Sequence, residues 1–145
     1  MREKLKLTDL QNWQSDVNKS TQCINYRIFK NLVGLESYLI KLPFPYRIAL
    51  TKFRCANHRL PIVMGRYKGI ERQNRTCNLC NLNKLGDEFH YLFECQRLEK
   101  LRQKYIKPYF RIRPNTLKMN QLFNEGSMKQ LTNLAKFTVE ILKLH

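Results

Sequence analysis

The sequence predicts a mainly α-helical protein, a small helical domain with a Cys-Cys-His-Cys (CCHC) zinc knuckle. Three observations carry that expectation. Apolar residues recur at helical rather than alternating spacing, prolines and glycines cut the chain into helix-sized pieces, and four soft ligands crowd into residues 77–95.

Taken in order, Thr8-Asp9-Leu10-Gln11 has the form of a capping box, in which a Thr side chain and a Gln three residues on satisfy free amide donors. Leu10, Trp13 and Val17 follow in helical phase, which predicts a first helix near 8–18. After Gly34 a short helix is expected from Leu35 to Lys41, stopped by Pro43 and Pro45. A third helix is expected from about Tyr46 to Asn57. Its Tyr46, Ala49, Leu50 and Phe53 form an apolar stripe, with Arg47, Thr51, Arg54 and His58 on another face. From Arg59 to Arg75, Pro61, Gly65 and Gly69 predict a loop. After Cys95 the pattern predicts a helix with Leu98, Leu101 and Tyr105 inward and Arg97, Lys100 and Lys104 outward, ended by Pro108. A short helix near 116–123 and a last one near 127–144, with Leu134, Phe137, Ile141 and Leu144 in phase, complete the reading. The implied segments are a helical basic region (1–70), the knuckle with its following helix (71–110) and a helical extension (111–145).

Charge points to a partner. The 145 residues carry 27 Lys+Arg against 11 Asp+Glu, a formal net charge of +16. Hydrophobic residues at 43% and aromatics at 11% exclude a disordered basic tail and predict a real core. No apolar run approaches the roughly 18 residues of a membrane span, and the charged Met1–Lys6 stretch does not read as a secretory signal. An intracellular protein with a polyanionic partner is therefore expected, nucleic acid before anionic membrane. Residues 41–75 hold nine basic residues against Glu71, and residues 97–113 hold seven against Glu99, which together make +14 of the +16. Two concentrated windows suit a binding surface; solvated helix faces are the plainer alternative.

Cysteines in such a compartment read as thiols or metal ligands rather than disulfides. Cys77, Cys80, His90 and Cys95 form a C-x2-C-x9-H-x4-C array. A tight C-x2-C turn supplies two sulfurs, and His90 and Cys95 return two more ligands from a short helical turn. Four protein ligands fill the tetrahedron of a structural Zn²⁺ and leave no position for a reactive water. Cys55 and His58 have C-x2-H spacing but no further ligand pair nearby, so Cys55 and the isolated Cys23 are expected as small buried hydrophobes. His58, between Arg54 and Arg59, is expected to contact phosphate or make a structural hydrogen bond. His145 carries no signal of its own.

Arg54-Cys55-Ala56-Asn57-His58-Arg59-Leu60-Pro61-Ile62, Gly65-Arg66-Tyr67, Arg75-Thr76-Cys77-Asn78-Leu79-Cys80 and Gly86-Asp87-Glu88-Phe89-His90-Tyr91-Leu92-Phe93-Glu94-Cys95 together resemble a known segment. It is the C-terminal zinc-knuckle region that follows the polymerase in reverse transcriptases of LINE-type (non-long-terminal-repeat) retrotransposons. The likeness runs over roughly residues 10–110, with Trp13, Tyr26 and Leu42-Pro43-Phe44 included. The resemblance implies a nucleic-acid-binding accessory segment that holds element RNA or target DNA near a polymerase, with nuclear residence and with Cys77, Cys80, His90 and Cys95 on the metal. The nine-residue spacer before His90 exceeds that of a retroviral nucleocapsid knuckle, so a retroviral-style fold is not implied.

Enzyme classes are poorly served. Polymerases and nucleases place paired carboxylates on two metal ions. This chain has Asp9, Asp16 and Asp87 only, and its one acidic pair, Asp87-Glu88, sits inside the knuckle and is expected to start a helical turn. A small HNH-like nuclease would need a carboxylate beside His58-Arg59, and none is near them along the sequence. The expectation is a non-catalytic module binding RNA or DNA through Arg47, Arg54, His58, Arg59, Arg66, Lys68, Arg75, Arg97, Lys100 and Lys104, with Tyr67 and Tyr91 as candidates for base stacking. A metal-stapled protein-interaction module that docks an acidic partner is the alternative. No small-molecule substrate is implied.

Overall fold

The computed structural model of the protein describes residues 11–13, 15–16, 37–124 and 127–145, and these are mostly helical. Of the helix expected over 8–18, residues 11–13 and 15–16 are described and helical; Thr8, Leu10, Val17, Cys23 and Leu35 lie outside the described residues. Seven further α-helices follow in the described chain: α1 (Ser37–Lys41), α2 (Phe44–Arg54), α3 (Pro61–Tyr67), α4 (Glu99–Tyr105), α5 (Pro108–Arg111), α6 (Thr116–Asn124) and α7 (Met128–Lys143). The described residues form no strand, only an isolated antiparallel bridge between Thr76 and Leu85. None of their helices is long and apolar enough to cross a membrane.

The core is built on α7. Ser127 and Gln130 cap it reciprocally, the Ser127 hydroxyl accepting from the Gln130 amide and the Gln130 side chain accepting from the Ser127 amide. Its buried stripe, with Leu131, Leu134, Phe137 and Ile141, packs against α2, α4 and α6. Leu144 breaks the expected phase: it lies beyond the helix and is 51% exposed. Buried residues from Leu42 to Ile141, the Cys77, Cys80 and Cys95 side chains among them, form one hydrophobic cluster that draws on all three sequence segments.

Helix α2 buries Ala49, Leu50 and Phe53 as its stripe demands, and Phe53 stacks on Phe123 of α6 with centroids 6.1 Å apart. Its end is a Schellman turn. Ala56 adopts left-handed φ 55°, and the Asn57 amide reaches back to the Lys52 carbonyl at 2.9 Å.

The loop expected over 59–75 is a helix in part. Pro61 opens α3 at its first turn, where the missing amide is no loss, and the Leu60 carbonyl accepts from Val63 and Met64 at 2.9 and 3.0 Å. Proline here starts a helix instead of breaking one. Gly86 lets α3 approach closely, since a Cβ there would lie 2.9 Å from Pro61 and 3.2 Å from the Cys77 backbone.

Because Phe137 is completely buried at the centre of the cluster, Phe137→Ala is expected to cost about 3–5 kcal/mol of unfolding free energy in a denaturant titration. Ser127→Ala, which removes only the cap, is expected to cost about 1 kcal/mol.

Candidate metal centre

Cys77 and Cys80 sit on a tight loop whose ends are held by two backbone hydrogen bonds, Cys77 N–H to the Lys84 carbonyl and Gly86 N–H to the Arg75 carbonyl, both 2.8 Å. The Leu79 amide points back at Cys77 Sγ at 3.3 Å, as an amide around a thiolate should. His90 and Cys95 bracket a single π-turn, His90–Glu94, closed by Cys95 N–H to the His90 carbonyl at 2.8 Å. Asp87 starts this turn by accepting the His90 amide at 3.0 Å, the role its position in the sequence suggested.

The four expected ligands converge. Their donor atoms lie within 4.8 Å of one another, and all four residues are buried. Cys77 Sγ is 3.8 Å from Cys95 Sγ, and Cys80 Sγ is 3.4 Å from His90 Nε2. A tetrahedral ion with metal–sulfur bonds of about 2.3 Å sets its sulfurs about 3.8 Å apart, so the group could hold one metal ion. His90 Nδ1 is buried without a hydrogen bond, and Glu94 Oε1 stands 3.7 Å from it. A carboxylate on that side favours the Nδ1–H tautomer and keeps the Nε2 lone pair for a metal.

Electrostatics divide the thiols. Burial pushes Cys95 up to about 12, with the neighbouring Cys77 adding to the effect. Cys77 suffers the same burial, yet the Tyr91 hydroxyl and the amides of Cys80 and Leu79 outweigh it and bring the thiol below its ordinary value. Burial also lowers His90, against the opposing pull of Glu94. A neutral imidazole is the form a metal requires.

The π-turn has a cost, because its wider register leaves carbonyls near its end without helical partners. Arg102 supplies them. Its Nε donates to the Leu92 carbonyl at 2.6 Å, and one terminal nitrogen donates to the carbonyls of Tyr91 (3.3 Å) and Cys95 (3.0 Å). The other terminal nitrogen pairs with Glu99 at 2.7 Å. Arg102 is 1% exposed, a buried cation that the charge count had placed in a surface window. Sequence spacing did carry a signal for it, since position 102 falls inside the Leu98, Leu101, Tyr105 stripe.

The remaining expected site residues divide between core and surface. Arg54 is 2% exposed with its guanidinium 5.6 Å from the Phe123 ring centre, which leaves no face for a phosphate. His58 is buried: Nδ1 accepts the Leu60 amide at 3.3 Å, so Nε2–H donates to Glu88 at 2.9 Å. Of its two expected roles, the structural hydrogen bond is the one realised. Tyr91 is fully buried, its hydroxyl on Asn78 at 3.1 Å, and offers no ring to a base. Arg75 lies across Gly65 and donates to the carbonyls of Ile70 and Ile62, tying α3 to the knuckle. Arg47 is half-buried and donates to the Leu39 carbonyl at 2.8 Å. Arg59, Arg66, Tyr67, Lys68, Arg97, Lys100 and Lys104 are exposed. Cys55 is exposed rather than buried, because it follows α2 on the outer side of the helix end. His145 joins the network, one ring nitrogen 3.0 Å from Asn78 Oδ1 and its ring 5.1 Å from that of Tyr91. Glu88 and His145 were not legible as site residues because their partners, His58 and Asn78, lie 30 and 67 residues away.

No family model, curated protein or solved structure matches this chain.

Arg102→Ala strands the carbonyls of Tyr91 and Leu92, the Cys95 carbonyl keeping the Leu98 amide, and is expected to destabilise the protein by about 3 kcal/mol or more, with Arg102→Lys recovering little, since one ammonium cannot span the same fork. Metal binding must displace at least the Cys95 proton. Its affinity is therefore expected to rise about tenfold or more per pH unit between pH 7 and 8, measured by chelator competition; a pH-independent affinity would mean that Cys95 is not a thiolate ligand.

Proposed function

We propose that this chain is a zinc-stabilised nucleic-acid-binding module without catalytic activity of its own, acting beside a polymerase as the LINE-type resemblance implies. The observation that carries the reading is the combination of a closed Cys3His ligand set with exposed cations in both flanking segments. Three thiolates and an imidazole in a tetrahedral arrangement suit Zn²⁺ and disfavour the oxygen-seeking Mg²⁺ and Ca²⁺. With all four positions taken by protein, the ion serves to fold the chain, and structural zinc of this kind is worth roughly 10 kcal/mol or more.

Arg59, Arg66, Lys68, Arg97, Lys100 and Lys104 would meet phosphates of RNA or DNA, with Tyr67 available to an unpaired base. Arg54, His58, Arg75 and Arg102 would act indirectly, by holding the elements that carry those cations. The carboxylates also fit a binding role better than a reactive one. Glu88 is committed to His58, Asp87 to the His90 amide and Glu99 to Arg102.

Purified protein is expected to contain about one zinc per chain, and Cys80→Ser is expected to lose it and lower the melting temperature. Full loss of metal with unchanged stability would contradict the structural role. If the six exposed cations each neutralise a phosphate, the slope of log affinity against log salt should be about −5 on duplex and about −4 on single strands. Arg97→Ala should make that slope shallower by about one, and Arg54→Gln should leave it unchanged. A flat salt response combined with selective capture of an acidic protein would favour the docking-module alternative.

A further inference from the structure

One cavity lies apart from the metal centre but is fastened to it. It has a volume of about 550 Å³ and opens between the end of α2, the α2–α3 link, α3 and the end of α7. Lys52 and Arg59 stand at it as cations, Tyr67 and Met64 line the α3 side, and Leu142 and His145 close the α7 side. Among the described residues, no Asp or Glu side chain lines it. Lys52, Asn57, Arg59 and Tyr67 are exposed, Tyr67 by 72%. The size falls in the ordinary range for small-ligand sites, and the lining pairs the Tyr67 ring and the apolar side chains of Val63, Met64 and Leu142 with two positive charges.

The walls of this cavity are held at two points by the knuckle. On one side His58 donates to Glu88, two residues before the ligand His90. On the other, His145 contacts Asn78, which lies between the ligands Cys77 and Cys80. The lining also includes Ala56, a buried alanine in the left-handed conformation, at a helix-end position where glycine is the usual residue. Glycine would ease the backbone but remove the one methyl group that this turn presents to the cavity.

We propose that this cavity is a subsite for one unpaired nucleotide of single-stranded nucleic acid, with the base against Tyr67, Met64 and Leu142 and its phosphate between Lys52 and Arg59. The inference rests on the nucleic-acid reading above and sharpens it to a strand preference. A base paired within a duplex keeps its faces covered by its neighbours and cannot enter, whereas an unpaired base exposes a face to an aromatic ring. Lys52 thereby becomes a contact residue, and Tyr67 acts as a stacking platform held by α3.

The test uses the zinc-loaded full chain, titrated with AMP, with UMP and with inorganic phosphate while backbone amide resonances are followed. Affinities for a 12-nucleotide single strand and a 12-base-pair duplex are measured in parallel. Both mononucleotides are expected to shift amides of residues 56–59 and 64–67, and phosphate alone to shift only those near Lys52 and Arg59. Tyr67→Ala, on an exposed side chain, should lower single-strand affinity roughly five- to hundredfold and leave duplex affinity within twofold, with Tyr67→Trp restoring it. Arg97→Ala, distant in sequence from the cavity, should weaken both forms alike. Unchanged single-strand binding in Tyr67→Ala, with the salt-dependent affinity intact, would overturn the subsite and leave the nucleic-acid function standing. Mononucleotide shifts no different from those of phosphate would reduce the cavity to an anion site and overturn the stacking role. If mononucleotides bind here while neither oligonucleotide binds, the cavity stands and the wider function falls. If only an acidic peptide shifts these amides, both fall.

Discussion

A buried arginine holds the knuckle to the rest of the molecule. Arg102 reaches from α4 into the π-turn and occupies the carbonyls of Tyr91 and Leu92, groups that the turn's wide register leaves unpaired, and shares the Cys95 carbonyl with the Leu98 amide. Without a planar fork of five donors, that turn would expose orphan acceptors in a dry interior. The turn in turn sets the separation of His90 and Cys95, so the spacing of two ligands depends on a side chain that touches no metal. Glu99, half-exposed at the surface, offsets part of the cost of burying the charge. Burial lowers the guanidinium's proton affinity and the Glu99 contact restores some of it, yet the group stays cationic at any physiological pH.

A second buried arginine repeats the pattern at the other end of the core. Arg54 leaves the surface of α2 and lies against Phe123 of α6. Each basic window thus contributes one cation inward. What remains outside is still strongly positive: six exposed cations in residues 41–75 and five in residues 97–113. The net charge is a property of the chain, but the binding surface is a property of the fold, and the two differ by the arginines that the core takes in.

Most of the helices were legible because their apolar residues keep helical phase, and the metal ligands because their spacing is tight and their chemistry distinctive. The errors have physical sources. Pro61 looked like a breaker, yet the Gly86 carbonyl and the α3 turn give the residues after it partners. The charges of Arg54 and Arg102 point to solvent, yet both residues sit in phase with their helices' apolar stripes and are buried. In those positions the stripe predicted burial better than residue type did. The pairing of His58 with Glu88 spans 30 residues, and no local pattern announces a contact of that range. The left-handed turn at Ala56 has no sequence signature, unlike the glycine that commonly fills this position.

The ligand loop also bears on how the chain finds its fold. All four ligands fall within residues 77–95, so closing the metal site joins near neighbours, whereas α2 and α7 must meet across more than seventy intervening residues. Loop-closure entropy grows with the logarithm of length, about 0.6 kcal/mol for each doubling. A knuckle closed first shortens the free path between those two helices and, through Glu88 and Asn78, holds out one docking point to the end of each, so early metal capture would raise the folding rate as well as the final stability.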